Sequence, residues 1–267
     1  MGHATARGGF RDLVDRLNRL PQGAPPSDLL YRILALLFTE HEAGLVALLP
    51  VKPFTVATAA RAWKTTEAEA RKTLDALSSR ALLLDAVRPD GETRWVLPPP
   101  MAGFFEFSMM RVRSDVDQKA LAELFYQYLN VEEDFVRELF ARGETQLGRT
   151  FVNEDALPAE ETLEVLDWER ASEVARTASH AAVGVCYCRH KMSHVGRACV
   201  APLEVCLTFG NTADALARHG FARRIDAAEA LDVLARARGR GLVQFGENVR
   251  EKVAFVCNCC GCCCEAL

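Results

Sequence analysis

Cys257, Cys259, Cys260, Cys262, Cys263 and Cys264 fill six of eight consecutive positions, and Cys186, Cys188, Cys199 and Cys206 precede them, making ten thiols in 267 residues. Adjacent side chains on a regular backbone point in different directions, so six crowded thiols cannot all line one apolar face. Their chemistry is that of soft ligands. Thiolates hold iron–sulfur clusters, zinc or Cu(I), and a bound cation offsets the repulsion between charged sulfurs. Four thiols complete a [4Fe–4S] or tetrahedral zinc site, and either cysteine group supplies that many. The spacings match neither the bacterial ferredoxin run nor the paired C-x₂-C of zinc ribbons. Whether the two groups share one cluster or hold two is open at this level.

Cations lie among the ligands. Arg189, Lys191 and Arg197 fall between Cys188 and Cys199, where positive charge favours thiolate and raises the potential of an anionic cluster. His190 and His194 are four apart and share a helical face. With four cysteines at hand, they read as neighbours of the site rather than ligands. No nucleophile elbow, nucleotide-binding glycine loop or H-E-x-x-H run is present, so the chain reads as a carrier rather than an independent enzyme.

The elements that must position these residues are mainly helical with small β pieces, an α+β chain. Residues 1–26 read as an N-terminal arm, 27–100 as a compact domain, 101–160 as a helical connector and 161–267 as the cysteine-rich domain. In the compact domain, Ser27 caps an apolar helix and Glu40–Leu49 forms a second. Phe54–Trp63, a turn at Lys64–Thr66 and Glu67–Arg80 then give helix, turn, helix. Leu82–Arg88 and Thr93–Leu97 flank the Pro89–Glu92 turn as a hairpin. This order resembles a winged helix-turn-helix domain. Arg71, Lys72, Arg80, Arg88 and Arg94 are its candidate DNA contacts, but Glu67 and Glu69 at the start of the second helix repel phosphate.

The segment MAGFFEFSMMRV (101–112) reads as core or a contact between copies of the chain. Thr150–Glu161 reads as a linker and Thr162–Ala182 as a helix entering the first cysteine group. Farther on, Thr212–His219 and Ala227–Arg238 read as helices, the latter capped by Asp226. Leu242–Phe245 and Val253–Val256 read as short strands, the second delivering Cys257.

A net charge of −4 and 49% apolar residues describe a globular chain rather than a general polyanion binder. The start lacks a secretory pattern, and reduced cysteines suit the cytoplasm, with no membrane partner expected. CYCRHK, GRACVAPLEVCLTFG, ARRIDAAEAL, RGLVQFGENVRE and FVCNCCGCCC together resemble the ferredoxin-type cysteine-rich (4Fe–4S)-binding proteins of anaerobic and facultative bacteria. That resemblance implies one or two [4Fe–4S] clusters held by the ten cysteines, electron transfer to a redox partner protein, and a winged-helix-like N-terminal part. A cluster-dependent regulator that binds DNA and a zinc-stabilised interaction module are the alternatives.

Overall fold

The computed structural model describes residues 8–20, 22–132, 134–140, 146–156 and 169–267. It is a mixed α+β chain with two antiparallel sheets and two compact units, dividing at Arg142/Gly143. The division falls inside the stretch read as a connector: residues through 142 belong to the first unit, and a strand at 148–150 belongs to the second. Among the described residues, no helix is long and apolar enough to cross a membrane.

The first unit contains α1 (Gly8–Leu17), α2 (Asp28–Leu37), α3 (Glu40–Ala47), α4 (Val56–Trp63), α5 (Glu67–Ser78), β1 (Leu84–Val87), β2 (Thr93–Val96), α6 (Phe105–Met109), α7 (Gln118–Tyr126) and α8 (Asp134–Phe140). Local chemistry sets many of the boundaries. Ser27 accepts the Leu30 N–H and starts α2, whose Leu30, Ile33, Leu34 and Leu37 fall on one buried face. Reciprocal Thr–Glu capping boxes, Thr39 with Glu42 and Thr66 with Glu69, start α3 and α5. Phe54 is not helical as expected. It exchanges main-chain hydrogen bonds with Trp95, so α4 begins only at Val56, capped by Thr55.

Residues 8–20, read as part of an arm, are docked. Leu13, Val14 and Leu17 are buried, and a Cβ on Gly9 would meet the Glu40 carbonyl at 2.4 Å, so only glycine lets α1 approach α3 this closely. The 101–112 strip supplies core: Phe104 and Phe105 are fully buried, and the Phe105 ring lies 4.9 Å from that of Phe125.

The second unit contains β3 (Gly148–Thr150), α9 (Ala171–Thr177), β4 (Ala181–Val185), α10 (Tyr187–His194), β5 (Glu204–Phe209), α11 (Gly210–Arg218), β6 (Arg223–Ile225), α12 (Ala227–Arg238), β7 (Val243–Glu247) and β8 (Phe255–Cys259). The strands form one sheet in the order β3-β7-β8-β5-β4-β6, every neighbouring pair antiparallel. Asp226 caps α12 as expected.

The expected helix through Ala182 is corrected, for Ala181 and Ala182 open a strand; part of that stretch lies outside the described residues. Ala181–Gly184 are all buried, so the strand has no polar alternation to give it away. β5 was not anticipated either, and β8 runs through Cys257 and Cys259 instead of stopping before them.

Successive strand residues face opposite sides of the sheet. Val183, Leu207 and Val256 fall on the side that packs with Val233 and Leu234 of α12 and Ala171 of α9. By alternation Cys206, Cys257 and Cys259 point to the other side, while Cys186 is itself part of this apolar cluster and Cys188 and Cys206 pack against it.

Glu247 ends β7 and accepts the Ala254 N–H at 2.7 Å, fixing the loop into β8. Burial pushes its carboxyl above the ordinary 4.5, with that N–H opposing. A raised folded pKa gives a contribution complete below about pH 4.5 and lost as pH rises through the folded value. Glu247→Gln keeps the acceptor and removes the charge. It is expected to raise the urea midpoint of the second unit at pH 8 and to leave it unchanged at pH 4.

Candidate metal centre

The cysteines arrive from four places. Cys186 follows β4, held by its N–H on the Leu203 carbonyl at 2.7 Å, and Cys188 lies in the first turn of α10. Cys199 sits on the loop after α10, and Cys206, Cys257 and Cys259 on β5 and β8. Cys260 to Cys264 curl into a turn in which the Cys264 N–H bonds the Cys260 carbonyl at 3.1 Å.

The fold sorts these thiols across the two sequence groups. Cys199, Cys260, Cys262 and Cys263 bring their sulfurs within 4.8 Å of one another. Cys199 to Cys260 is 3.6 Å and Cys262 to Cys263 is 3.8 Å. With Zn–S bonds of about 2.3 Å, a tetrahedral thiolate site has sulfur–sulfur edges of about 3.8 Å, so this tetrad can hold a metal ion. Cys263 is buried, Cys199 and Cys260 are half-buried and Cys262 is exposed.

The other six thiols interact neighbour to neighbour: Cys186 with Cys188 and Cys206, Cys206 with Cys257, Cys257 with Cys259, Cys259 with Cys264, and Cys264 with Cys188. The circuit closes. Thus Cys186, Cys188 and Cys206 part from Cys199, and the terminal run is split between both sets.

Protonation follows these contacts. The thiols of Cys188 and Cys206 donate to Cys186 and hold it well below the usual thiol value, assisted by the Arg189 N–H and guanidinium. Cys264 is brought down to about 3 by the thiols of Cys188 and Cys259 and the N–H groups of Ala266 and Leu267. Burial opposes ionisation of Cys199, yet the Ala201 N–H and the neighbouring thiols bring it to about 6. Cys188 and Cys206 are pushed up by their hydrogen bonds to Cys186 and by burial, and Cys257 by its contacts with Cys206 and Cys259 and by burial. Metal binding would displace the remaining protons.

Two expected cations are internal. Arg189 is 1% exposed, and its guanidinium bonds the carbonyls of Pro202 and Asn258, both at 2.9 Å. Those partners are neutral, and the anions that face it are the sulfurs of Cys186 from the ring and of Cys199 and Cys260 from the tetrad, the last two also as hydrogen-bond partners. Burial works against the charge, and the thiolates more than offset it, raising the Arg189 pKa.

Lys191 pairs with Glu265, both side chains fully buried. The Tyr187 hydroxyl donates to the same carboxylate at 3.2 Å, and the Cys188 sulfur lies 4.0 Å from it. Arg197, the third expected cation, is on the exposed loop before Cys199. His190 and His194 do share a face of α10, with their Nε2 atoms 3.2 Å apart.

Glu265, Tyr187 and Asn258 escaped the sequence reading. A glutamate beside the end of a chain reads as solvated, and only its fit against Lys191 reveals otherwise.

In the first unit, the candidate DNA contacts are largely engaged with acids. Arg71 pairs with Asp75 at 3.2 Å and lies over the Trp95 ring. Arg80 pairs with Glu42, Arg88 with Asp90 and Arg94 with Glu92. Glu67 and Glu69 stand at the exposed start of α5. No family model, curated protein or solved structure matches the chain.

Proposed function

We propose that this chain is an iron–sulfur protein that carries electrons to a protein partner from a reducing compartment, the cytoplasm. The observation that carries this reading is the convergence of sulfurs from two distant segments, Cys186 and Cys199 from the first and Cys260 from the second, on one buried guanidinium, that of Arg189. Thiolates in that number suit bridged iron and sulfide better than a lone ion. When bound, such a cluster supplies a one-electron acceptor. The chain's own part is to hold the sulfurs, bury three of them outright and most of the others in part, and set the local charge. Arg189 counters the thiolates it faces, and Lys191 answers the nearby carboxylate of Glu265. The exposed Cys262 marks the side on which a partner can approach most closely.

The ligand donors fit the group: every one is a cysteine sulfur, and several already carry lowered pKa values. One observation favours a second reading. The tetrad's compact spacing suits a single tetrahedral ion such as zinc, which would make the second unit a metal-stabilised interaction module. Anaerobic purification followed by iron, sulfide and zinc analysis separates the two. Iron and sulfide near about four or eight per chain, with a cluster resonance on reduction, is the expected result. A colourless protein with zinc and no iron would replace the first reading with the second.

The α4–turn–α5–hairpin order supports a winged-helix-like first unit. Its acidic α5 start and acid-engaged arginines weigh against phosphate contact, so a protein partner is favoured over DNA. A gel-shift comparing holo- and apoprotein checks this, and cluster-dependent retardation would restore the regulator.

A further inference from the structure

We propose that the ring of Cys186, Cys188, Cys206, Cys257, Cys259 and Cys264 is a metal centre in its own right, separate from the tetrad, and takes at least two bridged thiophilic metal ions. The inference rests on the thiolate–metal reading above but not on iron being the metal.

The ring's shape comes from the sheet. Continuing the β5–β8 register from Leu207 opposite Val256 sets Cys206 opposite Cys257, and the two-residue period puts Cys259 on the same face. The pairing of Gly184 with Cys206 brings the end of β4 alongside, so Cys186 joins them and the first turn of α10 adds Cys188. The turn after β8 then folds Cys264 back between Cys188 and Cys259. These are framework positions, with Cys186 and Cys259 buried outright.

Ligand arithmetic decides the nuclearity. Thiophilic divalent ions take four sulfurs each, so six thiolates around a single ion leave a surplus of ligands and of negative charge. Two tetrahedral ions need eight sulfur positions, and six thiolates supply these when two of them bridge. The tetrad differs in kind, since all four of its sulfurs lie within 4.8 Å of one another. Buried charge points the same way. Arg189 is sealed at 1% exposure, bonds the Pro202 and Asn258 carbonyls and faces the sulfurs of Cys186, Cys199 and Cys260, and such a cation is tolerated only beside compensating negative charge. A thiolate-rich centre on one side and the tetrad on the other provide it.

Cobalt(II) added anaerobically to the reduced, metal-free full chain tests the proposal through its sulfur-to-cobalt charge-transfer bands. The wild-type chain is expected to saturate at about three ions, one in the tetrad and two in the ring. Saturation at two or fewer overturns the proposal. The variant C199S/C262S should still bind about two ions, and C206S/C257S, whose ring keeps four sulfurs, no more than about two. Wild-type stoichiometry in the latter would also overturn it. Should that variant fail to fold, C264S removes a ring sulfur outside the sheet, and the wild-type stoichiometry decides the matter regardless. The titration is independent of the native metal. A purified protein containing zinc but no iron would sink the iron–sulfur reading, while three cobalt ions per chain would leave the ring standing.

Discussion

Replacing Lys191 with Met is expected to destabilise the second unit by about 3–5 kcal/mol, the scale for removing one partner of a buried ion pair. Lys191 and Glu265 are each fully enclosed, and the ammonium is the cation paired with the carboxylate. Burial already pushes the Glu265 carboxyl up, and Lys191 opposes that shift. Without the ammonium the carboxyl rises further.

A folded pKa raised above the ordinary 4.5 contributes stability fully below that value and loses it as pH rises through the folded one. The deficit of the variant should therefore be large at pH 8 and shrink toward pH 5, as read from urea midpoints. The double variant K191M/E265L should recover most of the loss, because an apolar pair of similar volume needs no charge compensation. A deficit that is the same at every pH and is not rescued would reduce the pair to packing alone.

On the proposed metal-centre reading, stripping the metal anaerobically with a strong chelator is the second large perturbation, and it is expected to lower the stability of the second unit by as much as about 10 kcal/mol. At neutral pH the sulfurs are held together either by shared protons or by a cation. Removing the cation returns several thiolates to mutual repulsion around Arg189. The helix-covered side of the sheet, with Val183, Leu207, Val233, Leu234 and Val256, contains its own apolar core and limits the damage. All ten cysteines lie in the second unit, so calorimetry should show its transition falling while that of the first unit stays in place. Superimposable scans with and without chelator would show that the thiol sites add nothing to stability.

Much of the first unit is legible in its sequence because its determinants are local. Thr39 with Glu42 and Thr66 with Glu69 each lie within four residues and mark helix starts that the structure places accordingly. Pro89-Asp90-Gly91 reads as a turn because Gly91 adopts a φ of 83°, and β1 and β2 pair on either side of it. Phe54 was misread as helical because its partner, Trp95, is forty-one positions away. β4 was misread for a related reason: two alanines carry a strong helix preference, and burial in the middle of a sheet overrides it.

The thiol site divides along the same line. Residue type and crowding point to thiol-ligand chemistry, and four of the ten cysteines do come together closely enough to hold a metal ion. Which sulfurs belong together does not follow. Cys259 and Cys260 are neighbours in the chain yet enter different sets, as do Cys263 and Cys264. The β5–β8 register, set by hydrogen bonds between segments some fifty residues apart, and strand alternation direct the strand sulfurs, while the local turn in which the Cys264 N–H bonds the Cys260 carbonyl directs the terminal ones. Chain order records adjacency along the backbone, whereas a ligand set is defined by adjacency in space.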